Sequence, residues 1–97
     1  MNVAQMKQIV SKGCPHYFAP DTMRFFNSCI PKHEPREVGG LVVFITSEQY
    51  SDETPRRYSI RTYSRAAESV GTIGLGFLGY PTLAEAEIAL NAYVCSQ

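Results

Sequence analysis

The longest unbroken run of apolar and β-branched side chains in this 97-residue chain is Leu41-Val42-Val43-Phe44-Ile45-Thr46, opened by Gly39-Gly40. A run of that length and composition is a strand, and the rest of the chain has to be arranged around it as the centre of a sheet. Ser51-Asp52-Glu53-Thr54-Pro55 reads as a turn, and Arg56 to Tyr63 then alternates. Tyr58, Ile60 and Thr62 point one way; Arg57, Ser59, Arg61 and Tyr63 point the other, toward water. Ser64 to Glu68 is short enough for a hairpin, after which Ser69 to Leu75 returns as a third strand weakened by glycines.

Helical spacing appears on either side of this sheet. Val3, Met6, Ile9 and Val10 recur on one face between Asn2, a suitable N-cap, and Gly13, a stop. Pro15 prevents continuation. Pro20 suits a first helical position, and a second helix is expected to about Asn27 with Met23, Phe25 and Phe26 as its buried stripe. Ile30 to Val38, with Pro31 and Pro35 among charges, reads as a loop. Thr82-Leu83-Ala84-Glu85 has the spacing of a capping box, and Leu83, Ala86, Leu90 and Tyr93 or Val94 follow at helical intervals. The expectation is an α+β fold of order ααβββα, with a short three-stranded antiparallel meander and helices packed on one face. Residues 1–97 are expected to form one such domain.

Nine basic and nine acidic residues cancel, so no global field gathers a polyanion. The N-terminal residues lack the charged start and apolar core of a secretion signal, and no 18-residue apolar run occurs. A cytoplasmic protein without a membrane segment is expected. Three cysteines form an odd, dispersed set that suits reduced thiols.

Four motifs carry candidate chemistry. Gly74-Leu75-Gly76-Phe77-Leu78-Gly79 fits GxGxxG, but Tyr80 and Pro81 separate it from the following helix, and no ribose-binding acid follows. The glycines are expected to bend a strand and tuck Phe77, Leu78 and Tyr80 under the last helix, and no cofactor is expected. Cys14, His16, Cys29 and His33 supply a zinc-type donor set at spacings that fit a zinc site poorly, so buried thiols and loop histidines are the simpler reading. Glu48, Asp52 and Glu53 read as solvated charge beside a turn. With no base and orienting acid beside a Ser or Cys, catalysis is not expected. The fourth motif is Arg56, Arg57, Tyr58, Arg61, Tyr63 and Arg65 along the second strand. An exposed arginine and aromatic face can stack bases or dock a protein, and neutral charge favours the protein.

Three stretches carry a family resemblance: Phe18 to Ser28, Val43 to Tyr50 with Pro55 to Arg61, and Tyr80-Pro81-Thr82-Leu83-Ala84-Glu85-Ala86. Together they resemble a family of small, uncharacterised proteins carried by bacteriophages and integrated mobile elements. Some small proteins of such elements are anti-CRISPR inhibitors, which dock on a Cas protein. The resemblance therefore implies an inhibitor of a host defence complex, with a protein partner such as a Cas protein met by the Arg and Tyr face. Nucleic-acid binding through the same face is the alternative.

Overall fold

The computed structural model describes residues 1–97. Its elements are α1 (Val3–Gly13), α2 (Pro20–Met23), a single 3-10 turn (Phe25–Asn27), β1 (Arg36–Val38), β2 (Leu41–Glu48), β3 (Arg57–Ser64), β4 (Ser69–Ile73) and α3 (Leu83–Cys95). The sheet is an antiparallel meander in the order β1-β2-β3-β4, so it has four strands rather than the expected three. The additional strand is Arg36–Val38, within the segment read as a loop. Gly39 and Gly40 have φ of 53° and 82°, which suits the two-residue turn of a tight hairpin. They therefore close β1 on β2, pairing Val38 with Leu41, in addition to opening the central strand.

The helices also lie on both faces of the sheet instead of one. Val42 to Glu48 are all buried, and successive side chains of β2 face opposite ways. Val43 and Ile45 join Ile60, Tyr80, Ala86 and Leu90 under α3. Val42 and Phe44 join Met6, Val10 and Tyr63 under α1. An uninterrupted apolar strand cannot leave either face wet, so it draws cover from both ends of the chain.

Local chemistry sets the helix boundaries. Asn2 Oδ1 accepts from the Gln5 amide at 2.8 Å while Gln5 Oε1 accepts from the Asn2 amide at 2.9 Å, a complete capping box. At α3 the Thr82 hydroxyl accepts from the Glu85 amide at 3.1 Å, but the Glu85 carboxylate turns to the Thr82 hydroxyl, so that box is only half formed. The expected second helix stops at Met23. Phe26 and Asn27 take left-handed φ of 53° and 49°, which turns the chain outward and leaves Phe25 and Phe26 exposed where a buried stripe was expected.

The glycine motif does bend the chain after β4. Gly74 and Gly76 have positive φ, and a Cβ on Gly74 would overlap the Tyr80 hydroxyl, which accepts from the Leu75 amide at 3.2 Å. Tyr80 is buried against α3 as expected; Phe77 instead faces outward. No helix is long and apolar enough to cross a membrane.

Candidate functional site: an aromatic-rimmed cleft

On the α1 face, the pairing of β2 with β3 juxtaposes Val42 with Tyr63, Phe44 with Arg61, Thr46 with Ser59 and Glu48 with Arg57. Helix α1 covers the apolar end of this row. The polar end is the floor of a cleft of about 150 Å³ whose lining includes Tyr17, Met23, Phe26, Glu48, Arg61 and Phe77.

Arg61 is the centre of the floor. Its Nε donates to Thr46 Oγ1 at 3.0 Å, Nη1 to Thr72 Oγ1 at 2.7 Å and Nη2 to Glu48 Oε1 at 2.8 Å. Thr46 Oγ1 in turn donates to the same Glu48 oxygen at 2.8 Å. The Glu48 side chain is 3% exposed and that of Arg61 17%. Glu48 Oε2 is buried without any hydrogen-bond partner. The guanidinium carbon of Arg61 lies 5.5 Å from the centroid of the Phe77 ring, within cation-π range. Burial raises the Tyr17 phenol above its ordinary value, against the opposing effect of the Arg61 charge and with smaller support from Glu48 and Cys14.

Two segments hold the rim over this floor. The segment from Gly74 to Gly79 is tied to β3 by Arg57, whose Nε donates to the Leu78 carbonyl at 2.6 Å and Nη2 to Gly79 at 3.3 Å. The Leu78 amide donates to Ser59 Oγ at 2.7 Å, and Tyr58 and Tyr80 exchange backbone bonds of 2.8 and 3.0 Å. Leu78, in the same segment, has φ of 58°. The opposite rim is the turn around Phe26, held by the Gln49 amide donating to the Phe26 carbonyl at 2.7 Å. Arg56 donates to Ser47 Oγ at 2.9 Å and also to the Asn27 carbonyl. Across the cleft the Phe26 and Phe77 rings are 5.5 Å apart, and Tyr50 stacks outside Phe26 at 5.7 Å. Phe25 and Tyr50 are each 68% exposed, Phe26 45% and Phe77 46%.

Of the residues expected to form one open Arg and Tyr face, only Arg61 lines this cleft. Arg57 shares its sheet face but directs its Nε and Nη2 at the loop. Tyr58 packs toward α3, and Tyr63 is 3% exposed beneath α1, so the face is not open along its length. Arg56 braces the turn from beside Cys29, and Arg65 pairs with Glu37 at 2.9 Å. Glu48, expected as solvated charge beside a turn, is instead buried against Arg61. Of the zinc-type set, Cys14 donates to the Glu68 carbonyl and Cys29 lies 3.4 Å from Arg56 Nη1. His33 Nε2 accepts from the Ile45 amide at 2.9 Å, which leaves Nδ1 to donate to Pro31 at 2.8 Å. Both of its ring nitrogens are therefore occupied, and no group of three metal-ligating side chains forms.

The fold and cleft define a class: a small α+β domain, helix-covered on both sheet faces, with an aromatic-rimmed cleft over a buried Arg and Glu pair. A family model described as a family of unknown function, DUF7447, matches residues 2–91, and the chain belongs to that family. No curated protein and no solved structure gives a significant match.

Proposed function

We propose that this protein binds single-stranded nucleic acid in the host cytoplasm through the rim formed by Phe25, Phe26, Tyr50 and Phe77. The observation that carries the reading is a group of three exposed aromatic rings, Phe25, Phe26 and Phe77, lining a cleft floored by Arg61, with a fourth, Tyr50, stacked outside Phe26. Isolated exposed aromatics are ordinary; several grouped on two braced turns with left-handed Phe26, Asn27 and Leu78 are not. Each base can stack on an open ring face, at about 1–3 kcal/mol per base, without a strongly basic surface. This fits a neutral chain whose arginines at the cleft are largely engaged internally. Titration of a fluorescein-labelled single strand against the same sequence as duplex, at low salt, tests it. Tighter binding of the single strand is expected; no binding of either sinks the reading.

Stoichiometric blockade of a host defence complex, the role implied by the phage-family resemblance, is the second reading. Its support is the apolar share of the same rim, where exposed Leu75 adds to the rings and suits a protein surface. Co-purification of a defence component with the wild-type chain, lost on Phe26→Ala, would favour it over strand binding.

A further inference from the structure

We propose that the Glu48 and Arg61 pair reads the Watson–Crick edge of one unpaired pyrimidine seated in the cleft, and that it prefers cytosine to thymine or uracil. The inference rests on the strand-binding reading and adds the base class to it.

Glu48 Oε2 is the starting point. Its carboxylate is almost wholly buried, and while Oε1 receives both Thr46 and Arg61, Oε2 receives nothing. A buried acceptor left without a donor costs about 1–3 kcal/mol, more when charged, and few such atoms persist in folded proteins without a role. Arg61 already balances the carboxylate charge, and a cationic ligand would meet the guanidinium. The fitting donor is therefore a neutral N–H. Beside this acceptor, Arg61 uses three of the five N–H groups a guanidinium carries and keeps two for a ligand.

An acceptor followed by two donors is the complement of cytosine, whose N4 amine would give a proton to Oε2 while N3 and O2 each take one from Arg61. Carboxylates accept from cytosine N4 for the same reason. Thymine and uracil in the same register set O4 against Oε2 and N3–H against an Arg61 N–H, and shifted so that N3–H meets Oε2 they reach only one of the two Arg61 donors. The cleft, about 150 Å³, is smaller than the roughly 300 Å³ at which drug-sized pockets begin, and so suits one ring more than two. Phe26 and Phe77, each about half exposed, supply the stacking surfaces.

The test is equilibrium titration of the wild-type chain with labelled oligo(dC) and oligo(dT) of equal length at low salt. About tenfold tighter binding of oligo(dC) is expected, the size of one base-edge contact. An oligomer of 2-pyrimidinone nucleotides, which lack only the N4 amine, should lose that advantage in the unaltered protein. Glu48→Gln keeps a carbonyl for Arg61 and Thr46 and places an amide NH₂ where Oε2 was, which removes the acceptor for N4, so the preference for oligo(dC) should be lost. Equal affinity for all three strands, or a preference for oligo(dT) in the wild type, overturns the base assignment and leaves strand binding standing. Absence of binding to every strand overturns both.

Discussion

Arg61 Nη2 and Glu48 Oε1 meet at 2.8 Å across the β2 and β3 pair, under a rim of half-open aromatic rings. Burial makes this contact unequal in its consequences. Removing Arg61 leaves a carboxylate in a site that is 3% exposed, whereas removing both charges leaves only the hydroxyls of Thr46 and Thr72 to find other partners. Arg61→Met should cost about 3 kcal/mol, and the Arg61→Met/Glu48→Met double variant distinctly less. Urea denaturation of the two variants beside the wild type checks the order. A double variant less stable than the single one would contradict it.

The stability of the fold should also respond to acid through His33. Burial, the largest influence, holds its imidazole below the ordinary value of about 6.5; the bond to Pro31 and the charge of Glu87 act in the opposite direction. The neutral ring is the form whose Nε2 accepts from Ile45, and Glu34 and Glu87 border the same hollow. Below about pH 6.5 the unfolded chain takes up a proton that the native ring still refuses. Stability is thus full above that pH, falls as the pH drops toward the native value, and then levels off. Removing the acceptor in His33→Phe should cost about 1–3 kcal/mol at neutral pH and flatten this part of the profile. Denaturant midpoints measured across mildly acidic buffers give the comparison.

Gly13, the last residue of α1, lies against the ring of Tyr63, and a Cβ there would overlap the phenol oxygen. Alanine in place of glycine ordinarily favours a helix by up to about 1 kcal/mol. The clash should outweigh that gain, because Tyr63 is 3% exposed and has little room to withdraw. Gly13→Ala is expected to destabilise by about 1–3 kcal/mol. Tyr63→Phe in the same chain should restore only part of the loss, since the ring carbon bearing the hydroxyl would still be 3.0 Å from the new methyl group. Thermal melts of the single and double variants test both statements.

The parts of the fold that were legible in the sequence depended on strong local signals. Leu41 to Thr46 announced a central strand, Arg57 to Tyr63 alternated as they pair, and Thr82 and Asn2 sit where they cap. The missing strand had its own signal: Gly39-Gly40 is a hairpin dipeptide as well as a strand opener, and Arg36 to Val38 is too short to show alternation. The cleft was hidden for a different reason. Extending β2 by two residues carries Val42, Phe44 and Thr46 on to Glu48, which puts the carboxylate on the same face as Arg61. Composition alone made it look like turn charge. Phe26 could not be read as exposed because helical spacing assigns it inward; only the left-handed turn, which no local pattern marked, swings it out. Tyr63 followed the alternation correctly, but its cover comes from α1, far away in sequence.

The rim separates a binding role from a structural one. Phe26 and Phe77 bury only about half of their surface, so Phe26→Ala and Phe77→Ala should each change stability by about 1 kcal/mol or less. Against a labelled single strand, each should weaken binding by about 1–3 kcal/mol, because each removes one stacking surface. Arg24, 75% exposed and paired with Asp21 at 3.4 Å, is an exposed cation adjoining the turn that carries Phe25 and Phe26. With one phosphate contact of this kind, log affinity should fall against log salt with a slope of about −0.7, and Arg24→Gln should bring it close to zero. A slope several times steeper would place the affinity in a basic surface elsewhere on the chain. Losses of stability as large as the losses of binding would make the rings packing residues.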